Sequence, residues 1–436
     1  MAERVRGLIV AGPATGQGKT TLMLGLIAAL RGRGMSVGAL KIGPDFIDPG
    51  FHVAAGAAAS FNLDHWGMRP ETRAALIGAV AAGADLVLGE GMMGLFDGAP
   101  GGGGSTADIA AETGWPVILA IDAGAQAQSV AALAQGFARF RDDVRVAGVV
   151  LMKVGGPPHR QLLADALAAA GIRAFGMVGY DASLALPERH LGLVQAREQK
   201  LDRLIAKVAA AVAGEIDLDV LVASAAPARV GVSAAIGALP PLGRRIAVAD
   251  DAAFAFAYAH VIAGWRAAGA EIVRFSPLAD EAPPADCDAV FLPGGYPELH
   301  AGRLAANRAF RDGMHAAAAR GAAIYGECGG YMALGEALID AGGTSHAMLG
   351  LLPVVTSFAR PALHIGYRRV ALLAKTSLGA AGARFRGHEF HFSTVAREAE
   401  ADRLFAVSDS DGSALSPAGL RRGTVFGSYL HLIDAA

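Results

Sequence analysis

Two clusters of residues in this chain have the types and spacing of reactive groups, one near each end. The segment GPATGQGKTT, Gly12 to Thr21, combines glycines, a lysine and hydroxyls, and GECGGY, Gly326 to Tyr331, sets a cysteine among glycines. In a phosphate-binding loop, glycines let backbone N–H groups converge on phosphate oxygens, a lysine neutralises their charge, and the next hydroxyl reaches Mg²⁺. Gly16, Gly18, Lys19 and Thr20 hold those places, with Thr21 beside them, after an apolar run and before a helical one. The strict spacing puts glycine where Pro13 stands, and Gly12 lies one place early. A glycine-rich turn that binds nothing is the bland alternative. Strand, loop, GKT and helix in that order weigh against it.

Acids follow at the ends of two further apolar runs. KIGPDFIDPG, Lys41 to Gly50, places Asp45 and Asp48 in a Gly/Pro-rich loop, where carboxylates can face a metal or a substrate. LVLGEGMMGLFDG, Leu86 to Gly98, leads a strand into Glu90 and then Asp97. A carboxylate at the carboxyl end of a parallel strand beside a phosphate loop is well placed as a Mg²⁺ ligand. Each acid alone reads equally well as a solvated loop charge. Met92 and Met93 read as packing.

The other cluster predicts a nucleophile turn, a tight strand-to-helix bend where glycines relieve crowding and the helix N-terminus lowers a thiol pKa. Cys328 fits it. Cys287, in ADCDAVF without flanking glycines, reads as a buried structural thiol. An oxyanion needs backbone donors, and FLPGGYPE ends a strand in Gly294 and Gly295, which can supply one beside the Gly329 N–H. The thiol also needs a base. His431, in GSYLHL after another apolar strand, is the best candidate, and GHEFHFS, Gly387 to Ser393, is its competitor. The latter lacks HExxH spacing, so a zinc-protease reading fails. It reads equally as an alternating strand or as part of a substrate pocket.

Positioning these groups calls for two α/β domains, and 436 residues exceed what one core usually carries. Short apolar runs at Gly7–Ala11, Ser36–Lys41, Asp85–Gly89, Pro116–Asp122 and Val146–Lys153 alternate with helical periodicity, for example Thr20–Arg31 and Gln128–Phe140. That alternation predicts a mostly parallel sheet wrapped by helices. After Arg197 comes a charged helix. An Ala/Pro/Gly-rich stretch then predicts a linker, and Arg245–Ala249, Glu271–Phe275, Ala289–Pro293 and Ala322–Tyr325 predict a second sheet. The expected division is residues 1–225, a linker at 226–243, and residues 244–436. Gly101 to Gly104 reads as a mobile loop.

Composition excludes other classes. Hydrophobic residues make up 53% and aromatics 6%, which points to Ala-rich helical layers; no uninterrupted apolar run is long enough to span a bilayer. The two arginines before the first apolar stretch lead into a glycine loop instead of a cleavage site, so a cytoplasmic protein is expected. Two cysteines cannot build a disulfide framework. A net charge of −2 without a basic run gives no footprint for nucleic acid.

The motifs GPATGQGKTT, KIGPDFIDP, EGMMGLFDG, FLPGGYPELH, GECGGYM and GHEFHFS, in this order over nearly the whole chain, resemble the cobyrinic acid a,c-diamide synthase family, which includes hydrogenobyrinic acid a,c-diamide synthases. The resemblance implies a dethiobiotin-synthetase-like P-loop domain, then a flavodoxin-like class I glutamine amidotransferase domain. It implies ATP-dependent amidation of the a and c acetate side chains of a corrinoid precursor, hydrogenobyrinic or cobyrinic acid, with glutamine as nitrogen donor. On it, Lys19 and Thr20 hold phosphates and Mg²⁺, Asp45 and Glu90 are further metal ligands, and Asp48 and Asp97 lie close to the substrate carboxylate. Cys328 matches the nucleophile and His431 its activating histidine. Class I glutaminases carry a glutamate two residues after that histidine, where Ile433 stands here, so the chain resembles a Cys and His dyad. Met152 stands where relatives commonly show an asparagine for the nucleotide base.

The expected chemistry has two halves. Cys328 thiolate attacks glutamine, and water resolves the thioester; elsewhere ATP converts a carboxylate to an acyl phosphate that ammonia attacks. A sheltered ammonia path is implied. Cobyric acid synthase and nickel-sirohydrochlorin a,c-diamide synthase are the alternatives within this enzyme class, and a partitioning-type P-loop ATPase is the distant one, which leaves GECGG unexplained. No membrane partner is expected, and a homodimer is left open.

Overall fold

A computed structural model of the protein describes residues 5–186, 201–231 and 236–436. The chain divides into two compact units, one of Met1–Trp66, Arg73–Gly98 and Gly102–Ala234, the other of Gly67–Thr72, Ala99–Gly101 and Ala235–Ala436. None of the described helices is long and apolar enough to cross a membrane.

In the first unit the order is β1 (Arg6–Ala11), α1 (Lys19–Gly32), β2 (Val37–Ile42), α2 (Asp48–Ala54), β3 (Ser60–Leu63), α3 (Pro70–Ala81), β4 (Leu86–Gly91) and α4 (Thr106–Thr113). It continues with β5 (Val117–Asp122), α5 (Ser129–Arg139), β6 (Val146–Val154), α6 (Pro157–Ala169), β7 (Ala174–Gly179), α7 (Asp202–Glu215), α8 (Leu218–Ala223) and β8 (Ala226–Pro227). The sheet order is β3-β2-β4-β1-β5-β6-β7, parallel throughout. Strands buried on both faces are near-continuous apolar runs, as in Leu8, Ile9 and Val10 of β1, all inaccessible. The sheet thus follows the alternation read from the sequence. Two strands escaped that reading: β3 and β7 lie at the edges, where SFNL and AFGMVG need less apolar character.

The expected linker begins too early. Ala226 and Pro227 pair antiparallel with Gly7 and Arg6, and the Ala228 and Arg229 N–H groups donate to the Val5 and Thr113 carbonyls. Residues up to Arg229 are therefore tied to the first sheet, and 232–235 lie outside the described residues. The Gly101–Gly104 run holds a continuous left-handed conformation, φ 79 to 94.

The second unit begins with β9 (Arg245–Ala249), α9 (Ala259–Ala267), β10 (Glu271–Phe275), β11 (Ala289–Leu292), α10 (Ala301–Ala306), α11 (Arg308–Ala319), β12 (Ala323–Glu327) and α12 (Gly329–Leu334). Then come β13 (Ala337–Ile339), β14 (Ser345–Ala347), β15 (Val354–Ser357), β16 (His364–Leu372), β17 (Arg384–His391), β18 (Thr394–Glu398), β19 (Asp402–Ser408), β20 (Ala414–Arg422), β21 (Val425–Ser428) and β22 (Leu430–Ala435). The large sheet runs β10-β9-β11-β12-β21-β20-β19-β16-β17-β22, parallel from β10 to β21 and antiparallel beyond. A small sheet, β14-β13-β15-β18, stands beside it. Only Tyr429 separates β21 from β22, so the final strand starts next to β12 before pairing with β17. This bend brings a late histidine to an early cysteine.

Candidate active site

The phosphate loop follows β1 in the middle of the first sheet, flanked by β4 and β5. Gly16 and Gly18 have φ 81 and 82, conformations that glycine adopts without steric cost. Lys19 opens α1, and its Nζ donates to the Ala14 and Met93 carbonyls, each at 2.7 Å. Burial, then the neighbouring Lys41 ammonium, lower its pKa to about 8. Met93 contributes its carbonyl from φ 54, with its side chain 38% exposed, so the packing role expected of it fails. Its place in the loop is set by backbone geometry.

Glu90, inaccessible at the end of β4, gathers the polar groups beneath the loop. Its Oε1 accepts from the Thr20 hydroxyl at 2.6 Å and from Lys41 Nζ at 3.0 Å, and its Oε2 lies 2.7 Å from His52 Nε2. Lys41 also pairs with Asp48, and His52 Nδ1 contacts Ser60 Oγ at 3.0 Å. Burial alone would raise the Glu90 pKa; the Lys41 charge and the His52 hydrogen bond overcome it and hold the carboxyl well below its usual range. Asp48 goes the other way, raised by burial and then by the Asp45 carboxylate despite Lys41. Burial opposes the charge on Lys41, but Asp48 and Glu90 outweigh it and raise its pKa.

Of the expected site residues, Thr20, Glu90 and Asp48 share this network directly. Asp97 is exposed and accepts from the Gly94 N–H at 2.7 Å, still close enough to act electrostatically on Lys19. Asp45 turns one oxygen to its own loop, accepting from the Ile47 and Asp48 N–H groups at 2.7 and 3.2 Å. Thr21 continues the first turn of α1. Thr20, Asp45 and Glu90 offer oxygen only, the donor type that hard cations such as Mg²⁺ take. Lys41 and His52 were not singled out from the sequence. The buried pattern of β2, which carries a lysine among apolar residues, is the signal for the first; nothing local marks the second.

In the second unit Cys328 sits between β12 and α12 at φ 46, ψ −104, one of the non-glycine residues with positive φ. Such elbows are strained and mark functional turns. A Cβ placed on Gly294 would lie 2.4 Å from His431 Cε1 and 3.3 Å from Cys328 Cβ, so that glycine is flanked by both side chains. A Cβ on Gly329 would lie 2.9 Å from the Gly295 nitrogen. The thiol, base and three glycines expected from the sequence therefore converge. Cys287 is buried in the core, as its surroundings suggested.

The electrostatics of the thiol differ from expectation. Burial, then the Glu298 carboxylate, push the Cys328 pKa up, and the Gly329 N–H only partly offsets them. The helix terminus is therefore outweighed by removal of water. His431 is inaccessible, and burial followed by repulsion from His388 and His391 holds it well below its usual value. Both shifts favour the uncharged form of the group, thiol and imidazole alike.

GHEFHFS runs through the end of β17 beside these residues: His388 pairs in register with His431, and the Cys328 thiol faces the Phe390 carbonyl at 3.9 Å. Among the described residues His364, Glu389 and His391 place ligand-type atoms within 4.8 Å of one another. Glu389, however, is paired with Arg368 at 2.7 Å, and His391 Nδ1 donates to the Ser393 carbonyl at 2.9 Å. Glu389 and His391 are thus engaged by protein partners.

Comparison with known proteins matches both halves. Residues 8–194 fit the CobQ/CobB/MinD/ParA nucleotide binding domain, and residues 245–436 fit the CobB/CobQ-like glutamine amidotransferase domain. The chain is 54% identical over 433 residues to a hydrogenobyrinate a,c-diamide synthase of Sinorhizobium sp, with 99% of each chain covered. The corresponding protein of Rhizobium meliloti (strain 1021) is 52% identical over 435 residues, again with 99% of each covered. That of Rhodobacter capsulatus is 49% identical over 441 residues, covering 99% of this chain and 100% of the relative. With a nucleotide-binding unit and a glutamine amidotransferase unit in one continuous match, the chain belongs to the hydrogenobyrinate a,c-diamide synthase family of glutamine-dependent ligases.

Proposed function

We propose that this enzyme uses ATP and glutamine to amidate the a and c acetate side chains of hydrogenobyrinic acid in cobalamin biosynthesis, working in the cytoplasm. The full-length relatives support the metal-free macrocycle, since they carry the name hydrogenobyrinate. The observation that carries the chemistry is that a Cβ on Gly294 would meet both His431 and Cys328, in a chain that also holds the Lys19 loop.

In the second unit, His431 takes the Cys328 proton as sulfur attacks the glutamine amide carbon. Gly329 and the Gly294–Gly295 turn donate to the developing oxyanion, and the imidazolium returns its proton to the departing ammonia. Water, activated by the same histidine, cleaves the thioester to glutamate and free thiol. In the first unit, the substrate carboxylate attacks the γ-phosphorus of ATP, releasing ADP and leaving an acyl phosphate; ammonia displaces phosphate to give the amide. Lys19 neutralises charge on the transferring phosphoryl group, with Gly16, Gly18 and Thr21 in the surrounding loop. Thr20, Asp45 and Glu90 would hold Mg²⁺, which supplies positive charge at the phosphate oxygens. Asp48 and Asp97 would border the reacting carboxylate, and Lys41 would keep Asp48 and Glu90 in place.

The reading is tested by incubating the protein with ATP, Mg²⁺, glutamine and either hydrogenobyrinic or cobyrinic acid, then weighing the products. The expected result is a diamide from the metal-free macrocycle, each amidation exchanging hydroxyl for amine, with glutamate and phosphate released in step. Absence of an amide product from either macrocycle overturns it.

The spacing around Gly294 makes a separate prediction. Gly294→Ala forces a methyl to within 2.4 Å of His431 Cε1, so the ring or the turn must shift. Misplacement on that scale lowers glutamine-dependent turnover on the order of 100-fold. Amidation from ammonium salt remains at the parental rate, which parallel assays with the two nitrogen sources measure.

A further inference from the structure

We propose that Glu327 is the positioning carboxylate of the glutaminase centre, holding His431 through Nδ1 and turning the apparent dyad into a Cys328–His431–Glu327 relay. The inference rests on Cys328 and His431 being the nucleophile and base. Its acid comes from the residue before the nucleophile, on β12, instead of from the histidine's own strand. Ile433, at the position where a class I acid is expected, is inaccessible, and its carbonyl lies 2.9 Å from His260 Nε2. That position serves the core.

The geometry of Glu327 is specified from two strands. Side chains two apart on a strand share a face, so Tyr325 reaches along β12 and its hydroxyl donates to Glu327 Oε1 at 2.8 Å. The Leu432 N–H, immediately after His431 on β22, donates to the same oxygen at 3.1 Å. Both donors fix Oε1, which leaves Oε2 as the oxygen facing His431, 3.8 Å from Nδ1. That is an ion-pair distance, and catalytic hydrogen bonds that are long without substrate tighten in the reacting complex. A cavity of about 10 Å³ beside the carboxylate, walled by Tyr258, Trp265, Phe291 and Tyr325, has room for one water at most.

A carboxylate 4% exposed between two strands is costly unless it interacts with a partner charge. Burial raises the Glu327 pKa to about 8, and the Leu432 and Tyr325 hydrogen bonds only partly offset it. The reacting state needs Glu327 as carboxylate facing the Nδ1–H tautomer of His431, with Nε2 open towards the thiol. Once Cys328 passes its proton to Nε2, imidazolium and carboxylate become an ion pair. His388 and His391 oppose a positive charge on His431, whereas the Glu327 carboxylate, at ion-pair distance from Nδ1, favours one. An acid behind the histidine fixes the tautomer and stabilises the imidazolium, as in other nucleophile–histidine–acid centres.

The test is Glu327→Gln in the full chain. The amide keeps the acceptor for Tyr325 and Leu432 but presents N–H to Nδ1, favouring the wrong tautomer. The expected result is a fall in kcat for glutamine hydrolysis of roughly 10²- to 10³-fold, with KM for glutamine within about threefold. Amidation supported by ammonium salt is unchanged, and alkylation of Cys328 by iodoacetamide acquires its inflection at higher pH. Tyr325→Phe, which removes one of the two Oε1 donors, gives a smaller loss in the same direction. Retention of hydrolysis within twofold, an equal loss with ammonia, or an unmoved alkylation profile overturns the role of Glu327. His431→Ala is run beside it: if that variant still hydrolyses glutamine at the parental rate, the base assignment itself fails.

Discussion

Cys328→Ala is expected to lose glutamine-dependent amidation by a factor on the order of 10⁴ or more, because without sulfur no thioester forms. The first unit's site is untouched by the change. Ammonium salt at a pH that supplies free ammonia therefore restores ATP-dependent amidation, each product mass reflecting hydroxyl exchanged for amine. The side chain is small, so the folded state remains intact and thermal melting checks that it does. Two measurements suffice: glutamate released from glutamine, and amide formed from ammonia. A variant that still releases glutamate, or that is folded and binds ATP yet fails with ammonia, contradicts the division of labour between Cys328 and the Lys19 loop.

Lys19→Ala reverses the pattern. Amidation is lost with glutamine and with ammonia alike, since charge on the transferring phosphoryl group loses its partner in the transition state. A positioned cation in phosphoryl transfer is worth about 10³ to 10⁵ in rate. Glutamine hydrolysis, which needs only Cys328 and its neighbours, continues. Lys19 donates to the Ala14 and Met93 carbonyls, so the variant also frees two backbone acceptors, but water can reach a loop of this kind. Normal turnover by Lys19→Ala would remove the nucleotide assignment from this loop.

What could be read in the sequence was whatever is local. Gly16, Gly18, Lys19 and Thr20 are neighbours in the chain, and their types between a strand and a helix are what suggested a phosphate loop; Cys328 with Gly329 and Gly330 suggested a nucleophile turn in the same way. Glu90 was legible because it ends an apolar run, and parallel sheets place such residues at one edge. Lys41, His52 and Glu90 meet only because β2, α2 and β4 are packed together, and no spacing along the chain encodes that meeting. Glu327 was passed over for a related reason: its meaning depends on β22 returning beside β12, which follows from a bend at Tyr429. The state of the thiol was misjudged because a helix terminus can be seen in sequence and the extent of burial cannot. The linker was drawn early because Ala, Pro and Gly report flexibility of composition, while Ala226 and Pro227 had a strand edge to pair with.

A buried thiol whose pKa is pushed up by that burial also has a chemical history to consider. Peroxides and disulfides react with thiolates, and the rate follows both the ionised fraction and access. Cys328 is poor in both respects until glutamine and the imidazole act together. Between turnovers the nucleophile is thus held in the form least open to sulfenic acid formation, and it should survive an oxidant dose that modifies an ordinary surface cysteine. The burial that slows ionisation makes the enzyme durable while it waits.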